Sequence, residues 1–136
     1  MGADSGHRGR VDAQITVFEA VGGEPFFTDL VERFYTGVAG DPVLAHMYPD
    51  DLTESKAHLA GFLIQYWGGP STYSDERGHP RLRMRHAPFQ IGGAERDAWY
   101  GHMIASLGSS GATDEVIEVM TDYFSMAATA MVNHGE

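Results

Sequence analysis

Glycine and proline cut this chain at five places, and the segments between the cuts repeat every three to four residues. The cuts are Gly22-Gly23, Gly40-Asp41-Pro42, Gly68-Gly69-Pro70, Gly92-Gly93 and the stretch from Gly108 to Gly111. Glycine reaches the left-handed conformations that close a helix, and proline cannot continue one. After the first cut, Phe26, Phe27, Leu30, Val31, Phe34, Tyr35 and Val38 follow at the spacing of one helix face. Ala57, Leu59, Phe62, Leu63, Tyr66 and Trp67 form a second such stripe. Trp99, Met103, Ile104 and Leu107 form a third, and Val116, Val119, Met120, Tyr123, Phe124, Ala127 and Met131 a fourth. No segment alternates with the period of a strand. The pattern predicts an all-α chain with four substantial helices, over 24–39, 52–67, 93–108 and 113–133.

Local signals refine these bounds. Thr16-Val17-Phe18-Glu19 has the form of a capping box and opens a short first helix. Pro25 sits where a first helical turn tolerates proline. Thr53 and Thr113 are the expected caps of the second and fourth long helices, and Asp114 and Glu115 suit the positive end of the latter. Pro42 to Pro49 reads as one tight turn, 70–79 as a loop, and Pro80 to Pro88 as one short helix. Residues 1–15 read as a flexible, Gly-rich tail and 16–134 as a single domain.

Charge and composition exclude several functions. The chain carries 19 Asp and Glu against 9 Lys and Arg, a formal charge of -10. Nucleic acid and anionic membrane surfaces need a basic face, so neither is an expected partner. No apolar run approaches the roughly 20 residues of a spanning helix. The first residues lack the apolar stretch of a signal peptide, and a cytoplasmic location is the expectation. There is no cysteine. Disulfides, thiolate metal sites and covalent haem attachment through Cys-x-x-Cys-His are therefore ruled out.

One stretch runs against the acidic balance. In HPRLRMRHAPF, Arg81, Arg83 and Arg85 alternate with Leu82 and Met84 directly before His86, and Phe89 follows Pro88. A histidine beside apolar residues and cations suits a haem, which is a flat apolar macrocycle with an iron to ligate and two propionates to neutralise. A basic surface turn with an incidental histidine accounts for the same residues. The other histidines, at 7, 46, 58, 79, 102 and 134, show no zinc-binding spacing. His58 and His102 fall on helices, where a lone histidine is usually solvated or a satisfied buried group. Tyr35, Tyr48 and Trp99 each join an apolar body to one polar tip, and core packing explains them as well as a binding site does. There is no phosphate loop, nucleophile elbow or His-Glu-x-x-His.

Taken together, these pieces resemble the truncated haemoglobins of the second group, the O class of actinobacterial type. FEAVGG at 18–23, ERFYTGVA at 32–39, MYPDD at 47–51, FLIQYWGGPSTYS at 62–74, GHPRLRMRHAPFQI at 78–91 and ERDAWYGHM at 95–103 carry the resemblance, which spans about 18 to 132. It implies a two-over-two helical sandwich, with 24–39 paired to 52–67 and 93–108 to 113–133, around one non-covalent b-type haem. It implies that His86 is the iron ligand, with Leu82 and Phe89 against the porphyrin. Arg85 first, then Arg83, would meet the propionates, with Tyr73 as a companion. Leu59 and Phe62 would line the other face. Tyr48 and Trp99 would donate hydrogen bonds to a ligand on the iron, with Tyr35 adding a third or orienting them. The segment between Tyr48 and Phe62 is one residue shorter than in relatives. Ser55 falls where ordinary globins carry the distal histidine, and His58 would approach the iron or the propionates only on a rotated helix.

The function this implies is binding of O2, and of CO, NO or peroxide, with redox chemistry on them. Nothing in the chain binds NAD or flavin, so turnover would need a separate reductase. The alternative is an O2 sensor or store without turnover. An oligomer is compatible with either.

Overall fold

The computed structural model describes residues 15–70 and 91–133. Six helices are seen there: α1 (Val17–Ala20), α2 (Glu24–Ala39), α3 (Pro42–Ala45), α4 (Thr53–Tyr66), α5 (Gly93–Gly108) and α6 (Asp114–Ala130). Among the described residues no strand is formed. α2 packs on α4, α5 packs on α6, and α2 also packs on α5, which joins the pairs into a two-over-two sandwich. The expected short helix at 80–88 lies outside the described residues.

The caps show why the helices begin where they do. The Thr16 hydroxyl accepts from the Glu19 N–H at 3.1 Å, and the Glu19 carboxylate accepts from the Thr16 N–H at 3.3 Å. Both halves of the expected capping box are thus present. Asp41 caps α3, accepting from the Val43 N–H at 2.9 Å, so the expected turn after Pro42 contains one helical turn. Thr113 caps α6 through the Val116 N–H at 3.3 Å. Gly92 precedes α5 and donates its N–H to the Glu95 carboxylate at 2.8 Å. Thr53 is not the cap of α4. It is already helical, Leu52 holds the cap position, and Asp51 takes up the Thr53 N–H at 3.0 Å. An acid two residues upstream can bond the first free amide directly, which the threonine rule does not anticipate.

The stripes fill the core unevenly. On α2, Phe27, Leu30, Val31, Phe34, Tyr35 and Val38 are buried. On α5 Met103 and Leu107 are buried, with Ser106 beside them, and on α6 Val116, Met120, Phe124 and Ala128 are buried. On α4 only Leu63 is buried, Leu59, Phe62 and Tyr66 are half-buried, and Ala57 is exposed, against expectation. The apolar face of α4 therefore looks only partly onto protein.

Two ties fasten the ends. α1 docks on the end of α4, where the Phe18 N–H donates to the Trp67 carbonyl at 2.9 Å. Gly68 makes this possible twice over. Its φ is +112, and a Cβ there would lie 2.6 Å from Thr16 Cβ. At the other end, Ile91 and Asn133 clasp each other: the Ile91 N–H donates to Asn133 Oδ1 and the Asn133 N–H to the Ile91 carbonyl, both at 2.9 Å.

Gly22 has a similar φ of +92 but open space around it. Gly22→Ala should therefore lose about 1 kcal/mol through backbone strain alone, and Gly68→Ala about 2–3 kcal/mol. Equilibrium urea unfolding of both variants checks the difference, which reports the α1 dock.

Candidate functional site

Where α4 turns its half-buried face inward, a cavity of about 580 Å³ opens between the two helix pairs. Ser55, His58, Leu59, Phe62 and Leu63 supply one wall at the spacing of a single helix face. Leu44, Met47 and Tyr48 close it from α3 and the following turn, and Tyr35 from α2. Glu95, Arg96 and Trp99 of α5, Tyr123, Phe124, Ala127 and Ala128 of α6, and Pro49, Ile91 and Met131 beside the helix ends add to the lining. The wall is chiefly apolar, with polar tips from Tyr35, Tyr48 and Trp99 gathered at one side. This is the usual build of a small-molecule site, an apolar concavity with a few converging polar groups.

The three tips form one set. The rings of Tyr35 and Tyr48 meet edge to face, with centroids 5.5 Å apart. Trp99 is wedged between Phe34 and Phe124, at 5.3 and 5.9 Å. Tyr48 is hydrogen-bonded to both Tyr35 and Trp99. An indole N–H can only donate, so the Tyr48 oxygen accepts from Trp99. Tyr35 donates to the same oxygen, and this bond, after burial and the nearby Tyr48 oxygen, holds its own proton in place. The Tyr48 oxygen thus takes up donors from two helices at the cavity wall. Burial raises the pKa of both phenols above the ordinary tyrosine value. At Tyr48 burial outweighs the two donated bonds, which act in the opposite direction.

Of the residues expected from the sequence, Tyr35, Tyr48, Ser55, Leu59, Phe62 and Trp99 line this one cavity. His86, Leu82, Arg83, Arg85, Phe89 and Tyr73 lie outside the described residues. His58 also reaches the wall, with Nε2 3.0 Å from Glu54 Oε1 one turn back. Among the described residues no group of three His, Asp or Glu stands close enough to hold a metal ion, and no helix is long and apolar enough to cross a membrane. Sequence reasoning missed Arg96, which lines the cavity and ties α5 to α6. It donates to Thr129 Oγ1 at 3.2 Å, to Ser125 O at 3.1 Å and to Ser125 Oγ at 2.9 Å, and its guanidinium lies 4.7 Å over the Tyr100 ring. An arginine four positions after a helix-opening glycine gave no periodic signal, because its partners are on another helix.

The lining fits a flat, apolar prosthetic group held by packing, with hydrogen-bond donors over one face. Comparison with known proteins gives the same answer. The bacterial-like globin family matches residues 16–133. The group 2 truncated haemoglobin YjbI of Bacillus subtilis is 40% identical over 119 residues, covering 88% of this chain and 89% of that protein. The crystal structure of a haemoglobin from Chloroflexus aurantiacus superposes with a TM-score of 0.87 at 52% identity, over 89% of this chain and 100% of the other. The X-ray structure of a truncated oxygen-avid haemoglobin from Bacillus subtilis gives 0.82 at 40% identity, over 86% and 98%. The chain belongs to the bacterial-like globins, as a truncated haemoglobin of group II. It is accordingly a haem-binding, O2-binding globin that takes one non-covalent b-type haem per chain.

The raised phenol pKa values set a pH dependence. The folded chain keeps protons on Tyr35 and Tyr48 that the unfolded chain gives up near pH 10. Their contribution to stability is thus whole below about pH 10 and is lost as pH rises beyond it. Tyr35→Phe should flatten this alkaline fall, and thermal melts between about pH 8 and about pH 11 check it.

Proposed function

We propose that the cavity is the distal pocket of a globin that binds O2 tightly and carries out redox chemistry with it. The observation that carries this reading is the convergence of Tyr35 and Trp99 on the Tyr48 oxygen at the cavity wall. When bound, the haem supplies a ferrous iron that binds O2 and passes electron density to it. Tyr48 holds its O–H proton toward the cavity. Tyr35 and Trp99 keep that phenol from rotating away. A fixed donor in an apolar enclosure favours negative charge far more than the same donor in water, because it need not reorganise. Leu59 and Phe62 exclude water from the same space, and Ser55 leaves room where a bulkier residue would stand. The similar Bacillus subtilis protein is described as oxygen-avid, which agrees with such a pocket.

We assign His86 as the residue that would ligate the iron, Leu82 and Phe89 as residues that would pack against the macrocycle, and Arg85, Arg83 and Tyr73 as those that would meet the propionates. Tight retention of O2 suits consumption of the ligand better than its delivery. Oxidation of NO is the reaction we favour. One NO, one O2 and one electron give one nitrate, and the electron comes from a separate reductase.

Trp99→Phe removes the indole N–H and keeps an aromatic body. It should speed O2 dissociation about 10-fold, equivalent to about 1.4 kcal/mol, and change CO dissociation much less, since bound CO is less polar. Stopped-flow displacement of both ligands checks this, and equal acceleration of both would reduce the tryptophan to a packing role. For the iron ligand, resonance Raman of the ferrous, ligand-free protein should show an iron–histidine stretch that His86→Ala abolishes. Survival of that band in the variant would remove His86 from the iron.

A further inference from the structure

Outside the cavity, His102 and Asp41 join α5 to the start of α3. His102 Nε2 lies 2.7 Å from Asp41 Oδ2, while Asp41 Oδ1 accepts from the Val43 N–H at 2.9 Å. One carboxylate therefore caps α3 and holds α5 at the same time. The side chains are only 28% and 21% exposed, so water and salt screen them less than an open surface pair. Gly37 belongs to the same arrangement. A Cβ at residue 37 would lie 2.5 Å from His102 Nδ1. Glycine in the middle of a helix is disfavoured, and here its missing side chain lets the imidazole rest against the α2 backbone.

We propose that the His102–Asp41 pair is a positioning device that sets the distance between Trp99 and Tyr48, and through it how firmly the cavity holds a polar diatomic ligand. The inference rests on the reading of the cavity given above. Each end of the pair is a short step from a donor. Trp99 stands three residues before His102, about one turn along α5. From Asp41 the chain runs through α3 into the turn that delivers Tyr48, with the Met47 N–H on the Leu44 carbonyl at 2.9 Å and the Tyr48 N–H on the Ala45 carbonyl at 3.1 Å. A helix of four residues has no stability of its own, since nucleation is unfavourable. The place of α3, and of Tyr48 beyond it, has to be imposed from outside, and the pair imposes it from the helix that carries Trp99. The bond to His102, helped by the Val43 N–H, holds the Asp41 carboxyl below the usual carboxylate range, so this end stays charged. Among the described residues Asp41 is the charged group within ion-pair reach of His102. α2 presents Gly37 to it, and α5 itself presents Ser106, whose hydroxyl donates to the His102 carbonyl at 2.9 Å.

The chain has two tryptophans, so indole 15N labelling of the full-length protein gives two resonances. They are compared at one neutral pH, in the CO form and in the protein as purified. Asp41→Asn keeps a cap for α3 but removes the charge. It should shift the Trp99 resonance from its wild-type position and speed O2 dissociation about fivefold, with little change for CO. The resonance of Trp67, whose indole N–H has no partner among the described residues, should stay still. His102→Gln keeps a donor toward Asp41, so it should leave the Trp99 resonance and the O2 rate near the wild type. His102→Ala removes the donor and should reproduce Asp41→Asn. A Trp99 resonance that stays in place in both Asp41→Asn and His102→Ala overturns the proposal. So does equal acceleration of O2 and CO in Asp41→Asn, which would mean general loosening. Should Asp41→Asn fail to fold, the comparison of His102→Gln with His102→Ala decides. A purified chain without haem absorption would sink the functional reading instead, and the indole comparison would still judge the pair.

Discussion

Two donors converge on one oxygen, and they come from different helix pairs. Tyr35 reaches Tyr48 from α2, and Trp99 reaches it from α5. A hydrogen bond weakens steeply once its length and angle drift, so the set exists only if α2 and α5 keep a fixed crossing. The protein secures that crossing with a close approach at Gly37 and with the wedge of Trp99 between Phe34 and Phe124. Burial makes the arrangement costly to break, because a phenol left without its partner in an apolar wall has no water to replace it. The packing of the sandwich and the polarity of the cavity are thus one problem with one solution.

Much of the frame is legible along the chain because helix faces are local and periodic. The α2 stripe from Phe27 to Val38 and the α6 stripe from Val116 to Phe124 are buried as their spacing demands. The Thr16–Glu19 box is equally local, being complete within four residues. What escapes are features whose partners are distant. His102 looks like any helical histidine until Asp41, 61 positions away, is brought to it. Gly37 looks like a weak point in a helix until that imidazole arrives. α4 misleads for another reason. Its apolar residues are spaced as if for a core, yet Leu59 and Phe62 face a cavity, and periodicity cannot tell a protein neighbour from a prosthetic one. The grouping of Tyr35, Tyr48 and Trp99 was legible only through resemblance to a family, since nothing in their spacing relates the three.

The same frame suits more than one use, since a fold does not choose its chemistry. What narrows the choice is the ratio of apolar wall to polar tip. A cavity wetted on all sides would favour release of charge to solvent. Here Tyr35 is buried, Tyr48 and Trp99 are partly buried, and the three constrain one another, which favours a ligand that becomes polar only after it binds.

The clasp between Ile91 and Asn133 bears on how the cavity is closed at its far end. Two hydrogen bonds span 42 positions and join a residue two before α5 to a residue three past α6. A side-chain amide here does the work of a strand neighbour, supplying an acceptor while the backbone beside it supplies a donor. Ile91 and Met131 both face the cavity, so this seam is also part of its rim. The clasp therefore adds to the ties of Arg96 to Ser125 and Thr129, and fixes the span where α5 begins and α6 has ended. It behaves like a buckle on a hoop, holding one seam of the rim shut with a single asparagine.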